Sequence, residues 1–124
     1  MYEYRAVVIR VVDGDTVDLH IDQGLEIYRL TRVRLASINT AELNSPNPEQ
    51  RELAQRAQDW LRAKLPAGTQ TTIKTFKDRR EKYGRYLVMV YLDGDEVSIN
   101  EQLVSNGLAV PYMVITSPQA PVIG

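Results

Sequence analysis

Two strand-like runs joined by an Asp-Gly pair constrain the fold of this 124-residue chain more than any other feature. Residues 6–12 are mostly apolar and β-branched. After Asp13-Gly14, apolar and polar residues alternate through position 22. A period of two predicts a half-buried strand, and Asp-Gly between two such runs predicts a tight hairpin. The sequence therefore predicts a hairpin in which Asp15 starts the second strand on a rigid turn.

Three further strands follow from the same kind of pattern. One is predicted at about residues 26–36, with a bulge near Thr31 because the apolar phase shifts there. Residues 71–76 and 86–92 read as two more strands, the second apolar enough for a buried position. Residue pattern alone therefore predicts a small α+β domain, predominantly β, with a strongly bent sheet.

Two helices are predicted from their capping residues. Asn47 followed by Pro48 begins the first, which ends before Pro66. A capping box at residues 98–101 opens the second, and Gly107 is its C-terminal cap. The inner face of the first helix is predicted to carry Leu53, Ala57, Trp60, Leu61 and Lys64.

Length and composition set limits on the class of protein. A length of 124 residues with 44% hydrophobic and 25% charged residues predicts one globular domain over residues 1–124, with a core at about 4–112 and an extended or flexible tail at 113–124. There is no cysteine, no apolar run of membrane-spanning length and no signal-peptide pattern. We therefore expect a soluble protein that does not associate with membranes, either cytoplasmic or the processed form of a secreted one.

Three short patches carry residues suited to phosphodiester chemistry. Residues 13–16 read Asp-Gly-Asp-Thr, residues 34–42 begin with Arg and end with Glu, and residues 82–85 read Lys-Tyr-Gly-Arg. Oxygen ligands can hold a hard cation, and arginines can neutralise the charge that develops on a phosphate under attack. The net charge of -1 argues against a general nucleic-acid coat protein, although five of the fifteen basic residues fall within positions 77–85.

These patches, together with the Asn-x-x-Leu-Val-x-x-Gly-Leu-Ala pattern of residues 100–109, resemble the thermonuclease (staphylococcal-nuclease-like) family. The resemblance runs from about residue 6 to residue 112. It implies a five-stranded, OB-type Greek-key barrel with two helices. The third, C-terminal helix usual in the family is apparently missing, because residues 116–124 contain two prolines and a glycine.

The resemblance also implies a calcium site. Its ligands would be Asp15, Asn39 and the backbone carbonyl of Thr40. Asn39 stands where the family has a carboxylate, so calcium binding is expected to be weaker rather than absent. Taken alone, Asp15 has a plainer interpretation, because aspartate beside glycine is common in hairpins and caps its own backbone.

The remaining site residues implied by the resemblance contact the substrate. The catalytic set is Arg34 and Arg85, which would bind the phosphate, and Glu42, which would orient or deprotonate the attacking water. The nucleic-acid contacts are Lys82, Tyr83 and Tyr112, of which Tyr112 would stack on a base.

The predicted function is a calcium-dependent nuclease, acting as a monomer on DNA, RNA or both. An alternative is a catalytically weakened nuclease-like OB domain that binds single-stranded nucleic acid. The near-neutral net charge and the few aromatic residues disfavour that alternative, since a sequence-tolerant binder needs many positive charges and stacking surfaces. A purely structural or protein-binding domain would leave both arginines and Glu42 unexplained.

Overall fold

The computed structural model describes residues 2–80 and 84–112, and within residues 76–80 it describes the backbone alone. Most of this part of the chain is strand, and two helices accompany the strands. In chain order the elements are β1 (Tyr2–Asp13), β2 (Thr16–Asp22), β3 (Tyr28–Leu35), β4 (Ile38–Asn39), α1 (Pro48–Lys64), β5 (Gln70–Arg80), β6 (Tyr86–Leu92), α2 (Ile99–Ser105) and β7 (Val110–Pro111).

Five strands close into a barrel in the order β1-β2-β3-β6-β5. Neighbouring strands are antiparallel except for β3 and β6, which are parallel. A parallel neighbour requires a crossover connection, and α1 and β5 lie in the segment that makes it. The predicted fold class, a predominantly β, five-stranded OB-type barrel with two helices, is confirmed. The predicted loss of a third helix concerns residues 113–124, which lie outside the described residues.

The barrel interior forms the core, and one face of each helix completes it. The buried apolar side chains that belong to this cluster include Val17, Leu19, Val33, Leu35, Leu61, Leu65, Ile73, Val88, Val90, Ile99 and Leu103. Each buried leucine or isoleucine contributes on the order of 1.5–3 kcal/mol relative to an exposed one. The chain therefore holds its strands together by packing, without disulfides.

The helices begin as predicted. The side chain of Asn47 accepts a hydrogen bond from the backbone N–H of Glu49 at 2.9 Å, and α2 opens with a complete capping box. Trp60 is half-buried against the core, whereas the predicted inward position of Lys64 is wrong: Lys64 is exposed, with Nζ 5.6 Å from the Trp60 ring centroid. Neither helix in residues 2–80 and 84–112 has the length and apolarity needed to cross a membrane.

The bulge predicted near Thr31 is wrong. The pairing of β2 with β3 is continuous from the Thr16–Arg34 pair to the Asp22–Tyr28 pair, and the irregularities lie in β1 instead. The prediction treated Leu30 as an inward-facing residue because it is apolar, whereas its side chain is exposed. The side chains of β3 therefore alternate without interruption along the whole strand.

Candidate active site

The turn of residues 13–16 packs tightly against two other parts of the chain. Gly14 is buried, and a Cβ built on it would lie 2.9 Å from the Cβ of Ala57 in α1 and 3.3 Å from Oγ1 of Thr40. The backbone N–H of Asp15 donates a hydrogen bond to the Asp13 carboxylate at 3.2 Å. The absent side chain of Gly14 therefore lets the acidic turn, helix α1 and the segment after β4 meet at one place.

Replacing Gly14 by alanine is expected to destabilise the fold by about 1–3 kcal/mol, the usual range for an overpacked core. The new methyl group would clash with that of Ala57, which is fixed to the helix backbone and cannot rotate away. Chemical denaturation of the variant measures the loss. In the background of Ala57→Gly the same Gly14→Ala change should cost much less, and an equal cost in both backgrounds would show that this clash is not the cause.

Arg34 joins the acidic turn to β4. Its Nη2 lies 3.4 Å from Oδ2 of Asp15, and donates hydrogen bonds to Oδ1 of Asn39 at 3.0 Å and to the carbonyl of Ile38 at 3.1 Å. The Arg34 side chain is only 12% exposed. One largely buried guanidinium therefore contacts two residues that were predicted as metal ligands.

Arg85 is connected to the same carboxylate indirectly, through a hydroxyl group. Its Nη1 donates to Oγ1 of Thr16 at 3.3 Å, and this hydroxyl donates to Oδ1 of Asp15 at 3.0 Å. Thr16 had no predicted role of its own. Its place in the turn beside Asp15 was the available signal, since a buried hydroxyl next to a carboxylate is expected to donate to it.

A buried amide links β3, which carries Arg34, to β6, which begins directly after Arg85. Nδ2 of Asn100 donates to the carbonyls of Ala36 at 2.9 Å and Val88 at 3.0 Å, and its Oδ1 accepts from the N–H of Val90 at 3.0 Å. Only three residue pairs link β3 to β6, starting at the Val33–Tyr86 pair. The amide of Asn100 therefore reinforces a short parallel contact beside which both arginines lie.

Tyr112 reaches the site through the second sheet, which the sequence analysis did not predict. Strands β4 and β7 pair Asn39 with Val110, and the N–H of Tyr112 donates to the carbonyl of Ser37 at 2.9 Å. Cζ of Arg34 lies 5.9 Å from the centroid of the Tyr112 ring. The ring is thus next to the guanidinium and partly open to solvent.

Glu42 is not part of the hydrogen-bonded network around Asp15 and Arg34 that the described residues form. It is exposed in the segment between β4 and α1, and in residues 2–80 and 84–112 its carboxylate forms no ion pair with Arg34. Glu42 follows Thr40 by two residues, so its Cα lies no more than about 7.6 Å from that of Thr40. The predicted contacts Lys82 and Tyr83 lie outside the described residues.

The pKa of the Asp15 carboxyl is raised to about 6. Burial is the largest cause because it penalises the charged form, and the carboxyl of Asp13 adds to the effect by hydrogen bonding and repulsion. Arg34 and the hydroxyl of Thr16 act in the opposite direction. Two acidic side chains thus share one partly buried turn, with incomplete neutralisation of their charge.

The residues that could hold a cation offer oxygen donors only. Calcium takes about six to eight oxygen ligands, so the Asp15 carboxylate, the Asn39 amide and the Thr40 carbonyl fit it in kind. Two of these side chains contact the same nitrogen of Arg34, so the guanidinium lies between them. Within the described ranges, no three or more His, Cys, Asp or Glu side chains group as a metal site. The donor atoms are therefore of the kind that calcium binds, but only one of the three donor groups carries a negative charge.

The chain is similar in sequence to known proteins. The model of the family described as "Staphylococcal nuclease homologue" matches residues 32–122. The chain is 30% identical over 117 residues to endonuclease YhcR of Bacillus subtilis (strain 168), covering 90% of this chain and 9% of that protein. It is 33% identical over 100 residues to two further proteins of the same organism, the SPbeta prophage-derived endonuclease YokF and endonuclease YncB, covering 81% of this chain and 31% and 44% of theirs. The chain thus spans less than half the length of each of these relatives.

Proposed function

This chain belongs to the family of staphylococcal nuclease homologues, and on that premise we propose that it is a calcium-dependent nuclease that hydrolyses phosphodiester bonds in DNA, RNA or both. The observation that carries the proposal is the convergence of Arg34 and Arg85 on Asp15, directly and through Thr16. The names of the three bacterial relatives support nuclease chemistry.

The two arginines would bind the scissile phosphate and stabilise the transition state. Guanidinium groups match phosphate oxygens in a forked geometry and keep their charge at any working pH. Arg34 is already held in place by Asp15 and Asn39, so little reorganisation is needed when charge builds up on the phosphate. Arg85 would meet the phosphate from the side of Thr16.

Asp15, Asn39 and the carbonyl of Thr40 would hold the calcium ion. When bound, calcium would supply positive charge to the phosphate oxygens and favour ionisation of a nearby water. The raised pKa of Asp15 means that a proton competes for this carboxylate as the pH falls towards 6. The tyrosine ring of Tyr112 beside Arg34 would stack on a base and hold the strand in register.

Glu42 would orient the attacking water and accept its proton. A carboxylate on an exposed segment can act in this way only if it lies within hydrogen-bonding reach of water at the phosphate. Its position two residues beyond Thr40 supports this assignment, because Thr40 is held against the acidic turn at Gly14. Active-site hydrogen bonds are often completed only when substrate is bound.

Incubation with single-stranded DNA and with RNA, in calcium and in chelator, tests the proposal. We expect cleavage in calcium, loss of cleavage in chelator and recovery when calcium is restored. A Glu42→Gln protein purified in parallel is the control for a contaminating nuclease, since it should cleave much more slowly. Chelator-insensitive binding without cleavage would instead support a nucleic-acid-binding module, an alternative favoured by the missing charge at Asn39.

A further inference from the structure

The outer face of the β2–β3 hairpin carries an aromatic stack that the core does not use. The rings of His20 and Tyr28 lie 4.9 Å apart at an interplanar angle of 10°. Tyr28 is 54% exposed and the neighbouring Leu30 is 69% exposed. Clustered exposed apolar groups on a small domain usually mark a contact surface.

This stack lies on the same face of the barrel as Arg34. Side chains two residues apart on a strand share a face, and the pairing of β2 with β3 has no irregularity. The row along β3, called here the hairpin row, consists of Arg34, Arg32, Leu30 and Tyr28. At about 3.3 Å per residue, Tyr28 lies about 20 Å along the strand from Arg34.

Positive charge continues along the first half of the hairpin row. Nε of Arg32 donates to Asp18 at 2.8 Å, and Nε of Arg10 donates to the other oxygen of the same carboxylate at 2.9 Å. Two guanidinium groups share the single Asp18 carboxylate, so one positive charge is in excess there; Asp13 acts on Arg32 only through its charge, and the two arginine side chains are 46% and 67% exposed. Asp22 pairs with Tyr28, so its negative charge limits the positive stretch to the half of the hairpin row nearer Arg34. A phosphate is therefore attracted between the site and the stack.

We infer that the hairpin row binds the part of a single-stranded nucleic acid that extends beyond the scissile phosphate. A phosphate lies at Arg32 and Arg10, and an unpaired base stacks on the open face of Tyr28. The inference rests on the proposed function, because it takes the scissile phosphate to lie at Arg34 and Arg85. A protein contact would account for the exposed apolar groups but not for their alignment with the arginines.

The distance makes the role of Tyr28 depend on substrate length. Stacked nucleotides advance about 3.4 Å each, so about six of them span the row, or fewer when the strand is extended. A dinucleotide bound at Arg34 and Arg85 cannot reach Tyr28. A strand of about twelve nucleotides can reach it from any cleavage position near its middle.

Fluorescence anisotropy with a labelled oligothymidylate of about twelve nucleotides, in chelator and low salt, measures binding without turnover. The Tyr28→Ala and Tyr28→Leu variants should each weaken binding about tenfold, since one aromatic stack on a base is lost. Tyr28→Phe should bind as the parent chain does, because it keeps the ring. Tyr2→Ala is the matched control, since Tyr2 is similarly exposed at 47% and lies on β1, where it pairs with Thr75 of β5 and is not a member of the row.

In a cleavage assay, Tyr28→Ala should raise KM about tenfold for the long strand and leave KM for a dinucleotide within about twofold. Equal losses on both substrates, or a Tyr28→Leu variant that binds normally, would overturn the inference; the second result would leave the patch as a protein contact. Because binding is measured without turnover, a parent chain that binds through Tyr28 but cleaves nothing would refute the proposed nuclease activity and not the binding row.

Discussion

Replacing Arg85 by alanine is expected to lower the turnover number about a hundredfold or more, the usual cost of removing one donor aimed at developing negative charge. The same loss is expected for Arg34→Ala. Both guanidinium groups are placed at Asp15 in the structure, one by direct contact and one through the hydroxyl of Thr16. Neither variant should change KM in proportion, because the contacts strengthen most in the transition state.

A matched control is needed because any arginine change also alters the general attraction for nucleic acid. Arg5 is suitable, since its exposed side chain pairs with Asp93 at 2.6 Å on another part of the barrel. Arg5→Ala should keep turnover within about twofold of the parent chain. Arg85→Lys should recover little of the lost rate, because an ammonium group does not reproduce the fork of two donors. Near-normal turnover of a folded Arg85→Ala protein, checked by thermal melting, would contradict the assigned role.

The Asn39→Asp change is expected to tighten calcium binding about tenfold or more, because it adds a second carboxylate to the site. The two side chains have the same shape, so Oδ1 would keep its contact with Nη2 of Arg34, and the oxygen that replaces the amide nitrogen would be added to the site. Cleavage at limiting calcium should become faster, and cleavage at saturating calcium should be at least equal. Calorimetric titration with calcium measures the affinity. Initial rates over a series of calcium concentrations measure the change in cleavage rate.

Asn47→Asp is the control for the Asn39 experiment. Asn47 is the N-cap of α1, where aspartate serves as well as asparagine, so the change adds the same charge without altering the fold. Its calcium affinity should stay close to that of the parent chain. If Asn39→Asp and Asn47→Asp shift the affinity equally, general charge would explain the effect and Asn39 would not be a ligand.

Local sequence signals predicted most of the barrel. The Asp-Gly turn, the alternation of β2 and the caps at Asn47 and Ser98 are properties of neighbouring residues, so they can be read from the chain. The bulge near Thr31 was wrong because an exposed leucine looks like a buried one in a pattern of apolar residues. Closure between β1 and β5 depends on distant residues and was expected from the family resemblance alone.

The candidate site was less accessible to prediction for the same reason. The meeting of Asp15 with Arg34 follows from the register of β2 with β3, which the hairpin pattern only suggests. The two-residue strands β4 and β7 carry no periodic signal, yet they bring Tyr112 to Arg34. The side chain of Asn100 donates hydrogen bonds to Ala36 and Val88, which precede it by 64 and 12 positions in the chain. No local pattern indicates partners at such separations.

The crossover between β3 and β6 has a consequence for how the protein is made. Asp15 and Arg34 belong to the first third of the chain, whereas Arg85, Asn100 and Tyr112 come from the last third. A ribosome-bound chain that has emerged only as far as α1 contains Arg34 but neither Arg85 nor strand β6, which pairs with β3. The proposed phosphate site is thus incomplete until most of the last third of the domain has been synthesised.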